Sequence, residues 1–173
     1  MILLRTTATA VSLGLVACTP ALNWREVRPA DSDLVALFPC KPKRLSRPVV
    51  LAGAPVQMNL VTCGANETTY GLGYALLADP NQVTPALGEM RRAAAANIGA
   101  RDAVASPWSL RGMTANPLAE KLAVEGRSAD DKPVHEQAAF FVRGLRIYQA
   151  TIVGPQIDTE AAETFFSGLK FVS

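Results

Sequence analysis

Histidine occurs once in 173 residues, at position 135, which excludes most metal sites built from several imidazoles. Charge is sparse as well: 17 Lys and Arg against 15 Asp and Glu leave a formal net charge of +2. No global field therefore favours nucleic acid. The three cysteines, at positions 18, 40 and 63, form no C-x-x-C pair. No serine sits in a G-x-S-x-G elbow, so the usual hydrolase nucleophile is missing. What the chain does have is apolar: 49% hydrophobic residues against 18% charged. That balance excludes an intrinsically disordered chain, and the length fits one domain.

The N-terminus reads as an address. Met1 to Arg5 carries one cation, and Thr6 to Val16 carries none. The stretch is too short to persist as a membrane-spanning helix and has the layout of a secretory signal. Leu15-Val16-Ala17-Cys18 resembles the bacterial lipobox. That resemblance implies cleavage before Cys18 and fatty acylation of its thiol, palmitate included, which anchors the mature chain by two or three acyl chains. Cleavage also removes Arg5 and leaves the remainder nearly neutral. Residues 1–17 are then a lipoprotein signal peptide, residues 18–32 a tether and residues 33–173 a single α+β domain. Thr19, where an Asp would retain enteric lipoproteins at the inner membrane, points to the outer membrane of a bacterial cell envelope, with the domain facing the periplasm.

With Cys18 taken by lipid, Cys40 and Cys63 remain as a pair in an oxidising compartment. Reflecting the segment between them about Gly53 sets Cys63 opposite Lys43, three residues from Cys40. A disulfide of that loop size stabilises by roughly 3 kcal/mol in the chain-entropy model. A redox or nucleophilic cysteine is the alternative reading.

Along the mature chain, Leu34 to Phe38 forms a short apolar run stopped by Pro39. Arg44 to Leu51 and Pro55 to Cys63 read as a hairpin, and Thr68 to Leu77 as a further strand. Thr84 and Pro85 open a predicted helix whose Leu87, Met90, Ala94 and Ile98 make one stripe, with Gly99 ending it. Residues 100–117 show no period. Strands are expected again at Leu118 to Gly126, Val134 to Val142 and Leu145 to Val153, the last two joined by a tight turn with Gly144 at positive φ. Asp158 caps a last helix carrying Ala161, Phe165 and Leu169 on one side, and Lys170 to Val172 suits a closing strand. Hairpin-linked strands with two helices set apart imply an antiparallel sheet.

Three segments carry a family resemblance: Phe38-Pro39-Cys40-Lys41-Pro42, Arg146-Ile147-Tyr148 and Phe165-Phe166-Ser167-Gly168-Leu169-Lys170-Phe171. They resemble bacterial envelope proteins of the PsbP-like fold, over about residues 33 to 172. The resemblance implies a central antiparallel sheet with helices packed on its faces, and roles in binding or assembly. Cys40 stands where glycine is more usual. The motifs describe packing, and no catalytic residue, metal ligand or cofactor site carries over.

Few residues remain for chemistry. His135 in a strand is either a solvent-facing side chain or the base of a small cell-envelope hydrolase. Gly71-Leu72-Gly73 is a fragment of a dinucleotide motif inside a strand, where close packing or a bulge explains it. Asp130 and Asp131 are turn residues. Lys41, Lys43, Arg44 and Arg47 form one basic cluster, which suits an anionic head group or acidic partner, or else a strand edge guarded by charge. Trp108 in the irregular segment is a binding anchor or a lid over the sheet. The expectation is therefore a lipid-anchored binding or assembly module without enzymatic activity or cofactor. Its partners are the membrane, through its lipid, and an envelope protein or small ligand.

Overall fold

A computed structural model describes residues 22–100 and 103–172. Within them lie ten strands: β1 (Arg25–Val27), β2 (Leu34–Phe38), β3 (Lys43–Leu51), β4 (Ala54–Ala65), β5 (Thr68–Leu76), β6 (Ala103–Pro107), β7 (Glu120–Arg127), β8 (Pro133–Arg143), β9 (Arg146–Gly154) and β10 (Lys170–Phe171). Two α-helices, α1 (Val83–Asn97) and α2 (Thr159–Ser167), and a 3₁₀ turn, Pro80–Gln82, complete the described elements. The class is α+β, dominated by antiparallel sheet. Seven strands form one sheet in the order β3-β4-β5-β9-β8-β7-β6, while β1, β2 and β10 form a second sheet around β2.

Local chemistry accounts for the hairpins. Between β3 and β4 the chain turns on Ala52 and Gly53, with φ of 48° and 76°, and Leu51 pairs with Ala54. Two consecutive positive φ values define the tight turn whose twist matches flanking strands. The loop thus has two residues and is not centred on Gly53. Lys43 consequently pairs with Thr62, one position from the register that the reflection predicts. Gly144, at φ 58°, turns β8 into β9 with Arg143 opposite Arg146.

The alternation of β8 divides its side chains between two cores. Ala138, Phe140 and Val142 cluster with Val83, Ala86, Leu87, Met90 and Ala94 of α1. Ala139 and Phe141 cluster with Ala161, Phe165 and Phe166 of α2 and with Leu34, Ala36 and Phe38 of β2. The period of two in a strand puts neighbours on opposite faces, so one strand serves both cores. For brevity, the side bearing Phe141 is the α2 face and the side bearing Phe140 the α1 face.

Three expectations need correction. The tether read as reaching residue 32 contains β1, whose Val27 is buried; three residues are too few to reveal alternation in a sequence. The segment 100–117, read as irregular, contains β6, every residue of which is exposed. An edge strand held by backbone pairing to β7 shows no burial pattern to read. The first helix begins before Thr84: Asp79 accepts a hydrogen bond from Asn81 N at 2.8 Å and caps a 3₁₀ turn, Pro80–Gln82, that runs into α1. Thr84 Oγ1 instead accepts from Asn116 Nδ2 at 2.9 Å.

Candidate functional site

Cys18 and the signal segment lie outside the described residues. Cys40 and Cys63 are joined in a disulfide with Cα atoms 5.9 Å apart, and both pack against the core on the α2 face. They act as a structural link from the entry of β3 to β4.

The basic residues do not form one patch. Lys41 precedes β3; Lys43 and Arg47 stand on one side of that strand and Arg44 on the other, where its guanidinium donates to Arg28 O at 3.0 Å. All four are exposed, and β3 is a terminal strand of the seven-stranded sheet. Charges on such an edge, with Pro48 beside them, discourage pairing with another chain. The edge at β6 lies six strand spacings away, about 29 Å. Lys43, Arg44 and Arg47 stand four strand spacings, about 19 Å, from β8, which carries His135 and the Phe141 on which Trp108 packs.

The opposite half of the sheet is more open. Helix α2 is capped by Asp158, which accepts from Ala161 N at 2.7 Å, and its Phe165 and neighbours share a buried cluster with residues of β8, β9 and β5. The α2 face of β6 and β7 extends beyond that cover. A cleft of about 1530 Å³ opens there, with Val104, Ala123, Glu125, His135 and Gln137 on its floor. Tyr70, Ile157 and Ala161 form a wall, and Leu22 stands at its rim. His135 Nδ1 lies 3.6 Å from Glu125 Oε1, its cross-strand partner. One wall hydroxyl, Thr68 Oγ1, donates to the carbonyls of Asn66 and Gln156, each at 3.3 Å. It is thus engaged with backbone and not with the imidazole.

Alternation sends Glu136 to the α1 face, away from this floor. It is 4% exposed and accepts from Thr151 Oγ1 at 2.7 Å. Burial pushes its carboxyl above the usual range, with the Thr151 hydrogen bond pulling the other way. Gly71 faces Thr151 on the same side, where an added Cβ would lie 3.2 Å from Thr151 Cγ2. Close packing inside β5 explains this glycine, and the strand setting excludes a phosphate-binding turn.

Trp108 follows β6 directly. Its ring centroid lies 5.1 Å from that of Phe141, which stacks at 4.9 Å and 7° on Tyr148. Trp108 is thereby fixed on the aromatic core yet stays partly exposed. Beside it a smaller hollow of about 550 Å³ is bounded by Leu110, Lys121, Glu163, Phe166 and Leu169. Lys121 Nζ stands 4.2 Å from the Phe166 ring centroid, a cation–π contact. Burial lowers its pKa from the ordinary value, with Glu163 acting in the opposite direction. Reading the sequence alone overlooks Lys121. The only local signal is its place on the polar side of the Leu122–Val124 alternation, and nothing local shows that α2 leaves this side half covered.

Among the described residues, no cluster of three or more His, Cys, Asp or Glu side chains is placed to hold a metal ion, and no helix is long and apolar enough to cross a membrane. No protein-family model matches the sequence, and no curated protein is significantly similar to it.

Proposed function

We propose that this chain is a bacterial envelope lipoprotein, anchored through Cys18 and facing the periplasm from the outer membrane, whose domain binds a partner or ligand without turning it over. The fold in this reading is PsbP-like, with α1 and α2 packed on opposite faces of the central sheet. The observation that carries the proposal is the position of Leu22 at the rim of the open cleft. Leu22 is four positions after Cys18, and a fully extended chain of that length reaches about 14 Å. Acylation at Cys18 thus holds the cleft next to the membrane surface, where it meets envelope partners. The mixed floor, with Val104 and Ala123 beside Glu125 and Gln137, suits recognition by combined apolar and polar contacts.

A photo-crosslinking amino acid at Ala123 in intact cells tests the reading, with Ser46 on the remote edge as control. Specific adducts from position 123 alone support it; equal yields from both positions, or none, overturn it. Cys18→Ser tests the anchor separately, by loss of lipid labelling and of membrane retention.

The contact between His135 and Glu125 favours one second reading, a small hydrolase using His135 as base. Such an enzyme loses its activity in His135→Ala while partner capture persists. Capture that fails in Val104→Asp, with no hydrolytic activity for His135→Ala to remove, supports the binding reading.

A further inference from the structure

We infer that the hollow between α2 and the β6–β7 edge is a binding site for a small amphiphile carrying one carboxylate. Three observations point there. Its apolar side chains are fixed, with Ser109, Ser167 and Glu163 also in the lining: Trp108 is held on Phe141, while Phe166 and Leu169 are 6% and 2% exposed. At its base is a single ammonium, Lys121, partly withdrawn from water and seated on the face of Phe166. Among the described residues, no carboxylate lies within 4.0 Å of that nitrogen, although Arg91, Arg127, Arg143 and Lys170 each have such a partner.

A half-buried cation without an ion-pair partner, beside apolar side chains, is the complement of an anionic head on an apolar body. The carboxylate sits at Lys121 Nζ, which has three donors and engages one π face. The body lies against the partly exposed Trp108 ring and Leu110 side chain. Glu163, exposed on α2 at the rim, repels the same head group and limits affinity. The site differs from the larger cleft in its residues and stands whether or not Cys18 bears lipid.

Isothermal titration of the full chain with octanoate, octanol and octylamine provides the test. Octanoate is expected to bind at least about tenfold more tightly than octanol, with octylamine weakest. Lys121→Gln should remove the preference for octanoate over octanol, Lys121→Arg should retain most of it, and Trp108→Ala should weaken both ligands. Glu163→Gln, an exposed change that leaves packing intact, should strengthen octanoate and leave octanol unchanged. Equal affinity for octanoate and octanol, an unaltered preference in Lys121→Gln, or no octanoate binding at millimolar concentration would overturn the proposal.

Discussion

The carbonyl oxygen of Ile98, just past the last turn of α1, stands where a side chain on Gly126 of β7 would have to be. A Cβ built on Gly126 lies 2.0 Å from that oxygen, which accepts a hydrogen bond from Arg127 N at 2.7 Å. The end of the helix is thus tied to the sheet by a backbone hydrogen bond, beside the packing of the Ile98 side chain on Val124 and Val134.

Gly126→Ala must therefore break this tie or displace the helix end. The expected loss is about 3 kcal/mol, at the upper end for overpacking against atoms that cannot rotate away. Gly64→Ala in β4 is the contrast, because its nearest neighbour would be 3.9 Å away; it should change stability by less than about 1 kcal/mol. Urea denaturation midpoints of the two variants measure the difference, and similar values would contradict the packing argument.

The Cys40–Cys63 bridge encloses 23 positions of sequence separation. Replacing both cysteines with serine should cost about 3 kcal/mol, most of it through a freer unfolded chain. Peptide mapping without reductant should recover the joined fragment. Two alkylatable thiols in the purified native protein would refute the bridge.

Glu136 gives stability a pH dependence whose sign follows from burial. The folded pKa lies above the ordinary 4.5, so between these values the folded chain holds more protons than the unfolded one. This contribution is present in full below the unfolded pKa and is lost as pH rises through the folded pKa. Glu136→Gln keeps an acceptor for Thr151 and removes the buried charge. It should raise the thermal midpoint at neutral pH and flatten the profile above pH 4.5. A lower midpoint at neutral pH in this variant would show that the carboxylate is stabilising instead.

Asp158 holds the first turn of α2, the helix that forms one wall of both hollows. Asp158→Ala should cost about 1 kcal/mol, a typical value for a lost N-cap. Asp158→Asn should restore most of it, since the amide oxygen accepts from the same Ala161 N–H. Thermal denaturation of the pair separates capping from charge.

Much of the fold was legible because its causes are local. Alternation in Val134 to Val142, glycine at the turn after Arg143 and the Asp158 cap before an apolar stripe each depend on residues a few positions apart. The same holds for the pairing expected of Cys40 and Cys63, where parity and a short hairpin leave few options. The strand pairing register needed more, since the backbone conformation of Ala52 decides whether the turn has two residues or three.

The candidate sites were hardly legible, because distant segments build them. Trp108 and Lys121 share a hollow only since β6 pairs with β7 and α2 returns from residue 159 to roof it. β6 itself buries nothing and leaves no pattern in its side chains. Composition, alternation and turn chemistry by themselves determined an antiparallel α+β domain, and the structure joined the cysteine pair that the sequence only made an expectation. The uncovered part of the sheet was decided only in three dimensions, because where a helix docks depends on shape and burial summed over the whole core.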